Sequence, residues 1–96
     1  MEFEFDPGKS AANQKKHGLS LDQAQKLWEV PAVVVKVKTV DEERFMIVGR
    51  LGEKFYSCIY TMRGETVRLI SARRSHKKEE QLYHEIIQKS PFGKGV

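Results

Sequence analysis

The chain has 96 residues, 40% hydrophobic and 31% charged, a balance that fits one small globular domain better than two domains or a disordered chain. Lys and Arg outnumber Asp and Glu by 17 to 13, and the resulting net charge of +4 favours acidic or polyanionic partners without selecting one. The single cysteine, Cys58, excludes an internal disulfide, no Cys/His spacing suggests zinc, and no run approaches the roughly 20 apolar residues of a membrane-spanning helix.

The opening stretch MEFEFDPGK is acidic and has no apolar leader core, so a cytoplasmic protein is expected. Asp6-Pro7 reads as an N-cap followed by proline in the first helical turn, and Gly18 ends that helix after His17, which predicts a helix over 7–17. Ser20 and Gln23 form a capping box. Leu21, Ala24, Leu27 and Trp28 then recur at helical spacing until Pro31 forbids continuation, giving a second helix over 20–29. From Ala32 the pattern turns to β-branched and aromatic residues, with four strands near 32–38, 43–50, 54–62 and 66–73. Turns near Asp41, at Gly52-Glu53 and at Arg63-Gly64 are short enough to require an antiparallel meander. A last helix begins near Ser75 with Leu82, Tyr83, Ile86 and Ile87 as its apolar stripe. Ser90-Pro91 ends it, before a loose tail over 91–96. The predicted class is α+β: two N-terminal helices, a four-stranded antiparallel meander sheet and a C-terminal helix, in one domain over 1–90.

Two-residue turns at Gly52-Glu53 and Arg63-Gly64 set a register in which Phe45, Tyr60 and Val67 share one row and Ile47, Cys58 and Leu69 the next. That face is apolar and suited to lie under the helices, and Cys58 belongs to it as a buried thiol. The opposite face mixes Arg44, Arg50 and Arg68 with Met46, Ile59, Val48, Ile70, Phe55, Thr61, Thr66 and Ser57.

Arg68, flanked by Met46 and Ile59, needs an anion or carboxylate to offset the desolvation of its guanidinium. Phosphate is one such anion; Glu43 or Glu65 is the internal alternative. Arg44 and Arg50 flank Arg68 as further donors, although exposed strand arginines also serve solubility. Arg73 and Arg74 fall at the end of the sheet beside the last helix, whose N-terminus favours anions, and Lys77 and Lys78 widen this rim. Those two lysines sit where the helix dipole disfavours cations. His17 is suited to proton transfer near neutral pH, and Lys15 and Lys16 share its dual reading, since all three also suit a helix C-terminus. Trp28 and Tyr83 read as core residues. A strict strand puts Arg73 opposite Arg68, so their cooperation requires the strand to end or bulge near Ala72.

Three stretches, FEFDPGKSAANQKKHGLS (3–20), EERFMIVGR (42–50) and TVRLISARRSHKKEEQLYHE (66–85), together resemble the BrnT family of toxins. The pattern D-P-x-K-x-x-x-N-x-x-K-H-G is carried by Asp6, Pro7, Lys9, Asn13, Lys16, His17 and Gly18, and R-x-I-S-A-R by Arg68, Ile70, Ser71, Ala72 and Arg73. Phe5 stands where many relatives have tryptophan and keeps an aromatic packing residue there.

The resemblance implies a RelE-like fold, RNA cleavage that blocks translation, and neutralisation by a BrnA-like antitoxin whose DNA-binding domain represses the operon, within a higher-order complex. No cofactor or metal is called for, because RNA supplies its own nucleophile, the ribose 2′-hydroxyl. Such cleavage needs in-line positioning, cations on the developing phosphorane and a group that moves protons. The expected residues are Arg68 and Arg73 first, then Arg44, Arg50 and Glu43, with His17 as a proton-transfer candidate. Lys15, Lys16, Arg74, Lys77 and Lys78 are expected on the RNA backbone. The alternative is a binding module without catalysis, acting as antitoxin partner or corepressor. An apolar patch around Met46, Ile59 and Ile70 is the surface expected to take a partner.

Overall fold

The computed structural model describes residues 1–89. The helix-ending Ser90-Pro91 and the expected tail over 91–96 lie outside the described residues. In chain order the elements are β1 (Glu2–Glu4), α1 (Pro7–His17), α2 (Leu21–Ala24) continued by a 3₁₀ segment (Gln25–Glu29), β2 (Ala32–Val37), β3 (Arg44–Leu51), β4 (Lys54–Arg63), β5 (Thr66–Arg74) and α3 (Lys77–Lys89). The strands form one sheet in the order β1-β5-β4-β3-β2. The expected meander is its antiparallel body, and β1 is a fifth strand that the sequence did not announce. It pairs parallel to β5, Glu2 with Thr66 through Glu4 with Arg68.

The helix punctuation acts as predicted. The Asp6 carboxylate accepts from the Gly8 and Lys9 amides at 2.7 and 3.3 Å, and Gly18 closes α1 with φ 76°, a left-handed conformation that suits glycine. Ser20 and Gln23 make the reciprocal capping box at 3.0 Å each. The predicted second helix tightens to 3₁₀ after Ala24. There Leu27 lies so close to β3 that a Cβ at Gly49 would meet its Cδ2 at 3.1 Å.

Between β3 and β4 the predicted register is observed, Phe45 with Tyr60 and Ile47 with Cys58. Between β4 and β5 it is corrected. The turn is Gly64-Glu65, with Arg63 opposite Thr66, so Tyr60 meets Leu69 rather than Val67. The reason is turn chemistry: Gly52 and Gly64 both have positive φ, and among the described residues no non-glycine residue does. Each therefore takes the first central position, the pattern of a II′ hairpin turn. The slide is two residues, so it leaves the face assignment intact. One residue then breaks the ladder: Tyr60 pairs with Leu69 but Ile59 with Ser71, which makes Ile70 a bulge.

The core lies on one side of the sheet. Leu19, Leu21, Ala24 and Leu27 pack on Ile47, Cys58, Tyr60, Val67, Leu69 and Ala72, and each fully buried leucine contributes about 2 kcal/mol. Trp28 closes this core, edge-on to Phe3 at 5.1 Å and to Tyr60 at 5.0 Å. The last helix departs from expectation, because it packs on the opposite face. There Phe55 meets Tyr83 edge-on at 5.0 Å, and Val33 and Val48 are buried, so one end of the arginine face is covered.

Helix α1 is attached differently, since its buried residues are Ser10 and Asn13. The Asn13 amide nitrogen donates to the Ala72 carbonyl at 2.6 Å and the Leu19 carbonyl at 2.7 Å, and its oxygen accepts from the Ala72 amide at 3.2 Å. Ser10 Oγ accepts from the Leu21 amide at 3.0 Å. Truncating Asn13 strands the polar groups of Ala72 and Leu19. Asn13→Ala is expected to lose about 3 kcal/mol of stability, read as a lower urea midpoint, whereas an unchanged midpoint would show that α1 is held some other way.

Candidate functional site

The face opposite the helical core is organised in cross-strand rows. One row in from Arg63, Thr66 and Glu2, Val37 pairs with Arg44 on β3, Thr61 pairs with Arg68 on β5, and Arg68 pairs with Glu4 on β1. Arg44 and Arg68 are two strands apart, about 10 Å between Cα atoms. The next row holds Val35, Met46, Ile59 and Ser71, with Met46 and Ile59 half-buried neighbours. The third holds Val33, Val48, Ser57 and Arg73, under α3.

The bulge at Ile70 is what puts Arg73 on this face. Arg73 lies five positions after Arg68, an odd offset that a regular strand turns to opposite sides. The extra residue restores the phase, so the bulge expected near Ala72 is present two residues earlier. The two arginines nevertheless stand about 13 Å apart along the strand, the rise of the four residues from Thr61 to Ser57.

Their environments differ sharply. The Arg68 side chain is 31% exposed and meets Glu4 at 3.4 Å, rather than Glu43 or Glu65; Arg63 approaches the same carboxylate at 3.9 Å. Arg44 pairs with Glu42 at 3.1 Å, a pair more open to solvent than Arg68 and Glu4. Pairs of this kind are worth little and exchange partners readily. Arg73 instead forms a two-pronged pair with Glu79, Nη1 to Oε1 at 2.8 Å and Nη2 to Oε2 at 2.7 Å, and the Glu79 side chain is only 14% exposed. Glu79 also accepts from Ser57 Oγ at 2.8 Å and from the His76 amide at 2.9 Å, so it caps α3 as well. These donors, Arg73 first, hold the Glu79 carboxyl down from 4.5 to about 2, and the Glu79 hydrogen bond raises the Arg73 pKa further. The anion at the start of α3 is thus internal.

The remaining candidates disperse. Arg50 donates to the Gly52 carbonyl at 2.9 Å, within its own hairpin. Glu43 binds Lys36 at 2.6 Å, and its carbonyl accepts from Thr61 Oγ1 at 2.6 Å. Arg74 lies over the Tyr56 ring, 6.0 Å from its centre, and Lys77 and Lys78 are exposed on the first turn of α3. Lys15 is exposed on α1, while Lys16 and half-buried His17 line a hollow of about 260 Å³ with Lys9, Ala12, Asn13, Ile70 and Ser71. Cys58 is buried, and burial pushes its thiol up to about 12, which keeps it protonated and inert. Glu4, the carboxylate that touches the arginine row, was missed because only the β1 pairing, invisible to local periodicity, brings it there. Among the described residues no three His, Cys, Asp or Glu side chains gather to hold a metal, and no helix is long and apolar enough to cross a membrane.

A small basic α+β domain with accessible cations on one sheet face and one sheet edge has the electrostatic footprint of a nucleic-acid-acting protein. Residues 5–79 match the family described as ribonuclease toxin, BrnT, of type II toxin-antitoxin system, and the chain belongs to that family. The matched stretch runs from the entry to α1 through Glu79, the partner of Arg73. Membership implies an RNA substrate and a cognate antitoxin. No curated protein matches the chain.

The Glu79 pair carries a pH signature. Because its folded pKa is depressed, the stability it contributes is present above about pH 4.5 and is lost as pH falls towards about 2. Glu79→Gln is expected to cost roughly 2 kcal/mol at neutral pH. Its stability gap to wild type should narrow on acidification in denaturant titrations; a gap independent of pH would place the stabilising charge elsewhere.

Proposed function

We propose that this protein is a metal-independent endoribonuclease that cuts RNA through the ribose 2′-hydroxyl and so inhibits translation in the cytoplasm. The observation that carries this reading is the pair Arg44 and Arg68 on either side of buried Thr61, two arginines held only by partly exposed carboxylates. An RNA phosphate displaces such partners at little cost. Arg68 then offers fixed donors to the charge that develops on the phosphorane, and Arg44 holds a neighbouring phosphate. Arg73 reaches a phosphate only where Glu79 releases it, and its part in the resting protein is to hold α3. Proton transfer falls to Glu4 beside Arg68 and to His17, which lines the hollow at Ser71, one row further along the sheet. Arg50 and Glu43, tied to Gly52 and Lys36, are placed further from this chemistry, and Arg74, Lys15, Lys77 and Lys78 supply long-range attraction for the RNA backbone.

Purified protein is expected to cut a long RNA in chelating buffer. Arg68→Ala is expected to cut at least about a hundredfold more slowly with its fold intact by circular dichroism, the usual loss when one such donor is removed. Cutting that requires added divalent ions, or that survives the substitution, would overturn the assignment.

A noncatalytic binding role is favoured by one specific feature, the commitment of Arg73 to Glu79. As an antitoxin partner or corepressor, the wild type is then expected to leave RNA intact while binding antitoxin tightly.

The antitoxin is proposed to be BrnA-like, to bind operator DNA within a higher-order complex, and to cover the half-exposed Met46 and Ile59 beside the arginine row. Added antitoxin is expected to slow hydrogen exchange in β3 and β4 at these positions. Protection confined to other strands would reject this surface.

A further inference from the structure

The hollow between α1 and the β5 bulge is not absorbed by the arginine row, and its lining is unusual for the inner edge of a surface helix. Lys9, Ala12, Asn13, Lys16 and His17 follow the spacing i, i+3, i+4, i+7, i+8, the stripe that normally carries apolar residues onto a core. Here the stripe is cationic at both ends, and Asn13 takes over the attachment of the helix. The helix contains no acidic residue. Among the described residues, the ion pairs leave Lys9, Lys16 and His17 without a carboxylate partner. The helix dipole accounts for Lys16 and His17 in the last turn, but it opposes Lys9 in the first. Two ammonium groups, Lys9 and Lys16, thus line one hollow of about 260 Å³ with no carboxylate among its lining residues, a setting that favours entry of an anion.

We infer that this hollow is a phosphate subsite for the RNA strand, held by Lys9 and Lys16 with His17 and Ser71 at its wall. The inference rests on the ribonuclease reading and adds a second position to it. Strand β1 stops at Glu4, opposite Arg68, so the edge of β5 is free of strand pairing beyond that point. Ser71 lies opposite Ile59, two residues from Thr61, so it stands about 7 Å from Arg68 along the strand. A strand that lays one phosphate on Arg68 thus meets Lys9 and Lys16 as it passes over the sheet edge, and the RNA path runs towards α1 rather than towards α3. The bulge at Ile70 serves both positions, since it shapes the wall of the hollow and sets the phase of the strand.

The test is binding of a short 2′-O-methyl RNA, which keeps the phosphates and lacks the nucleophile, measured across a salt series. Lys9→Gln/Lys16→Gln is expected to weaken binding roughly tenfold and to flatten the plot of log affinity against log salt by about 1.4, two contacts at 0.7 each. Ala12→Glu, which adds a carboxylate at the exposed lining of the hollow, is expected to weaken binding as well. The control Lys26→Gln/Lys38→Gln removes the same charge elsewhere and should stay within about twofold of wild type. An unchanged affinity and slope in the Lys9/Lys16 variant, or an equal loss in the control, overturns the subsite. The same preparations are assayed on cleavable RNA. Wild-type protein that binds but never cuts overturns the ribonuclease reading, while the comparison of binding slopes still decides the subsite.

Discussion

The carboxamide of Asn13 acts as a short piece of β-strand. Beyond Arg68 the outer edge of β5 has lost β1, and its peptide groups face the expense of burial without partners. Asn13 meets both polar groups of Ala72 and turns a second proton to the Leu19 carbonyl, so one side chain joins the sheet edge, α1 and the approach to α2. An apolar residue at this position would bury comparable area but leave three backbone groups unpaired. A charged one would supply only donors or only acceptors, whereas a carboxamide has both. Because α1 is secured by polar groups at Ser10 and Asn13, the rest of its sheet-facing stripe is released from packing. That release is what permits lysines and a histidine against the β5 edge.

The elements that depend on local rules were legible in the chain. Asp6-Pro7 and Gly18 bounded α1, Ser20 and Gln23 started α2, and glycine at Gly52 set the β3–β4 register, because caps and tight turns are decided within a few residues. Gly64 carried the same information as Gly52, and placing it second in its turn displaced the β5 register by two residues. Features that rest on distant partners were not legible. The three residues of β1 show no periodicity to read, and their pairing with β5 depends on how Phe3 and Phe5 settle on the core. For the site, the arginine face emerged from alternation alone, but the identity of each counter-ion did not. Arg68 meets Glu4 from 64 positions away, and Arg73 meets Glu79 only because α3 folds back over the sheet.

The two ion pairs divide the arginines by function through their carboxylates: Arg68 and Arg73 are alike at 31% and 30% exposed, but Glu4 is 39% exposed and Glu79 only 14%. A guanidinium and carboxylate that both face water lose little by separating, because water and salt already screen them. The Arg73–Glu79 pair is two-pronged, joined to Ser57 and to the first turn of α3, and largely covered, so separating it leaves a desolvated carboxylate without its strongest donor. Chemically similar residues on one strand therefore serve opposite ends: Arg73 fixes a helix, and Arg68 remains exchangeable.

A cation can bind RNA productively only if its counter-ion is weaker than phosphate and its backbone does not yield when that counter-ion leaves. Arg68 meets the first condition through Glu4 and the second through its place between two paired strands, with Leu69 anchored in the core beside it. Lys9 and Lys16 meet the first by having no carboxylate on their own helix, and the second through Asn13. Both groups are thus rigid at the backbone and unsatisfied, or weakly satisfied, at the charge, a combination that costs stability in the free protein and returns it when a polyanion binds. The single inserted residue at Ile70 lies between them. Deleting it would return Arg73 and Ser71 to the core side and pull Ala72 away from Asn13, so the bulge and the carboxamide that faces it constrain each other.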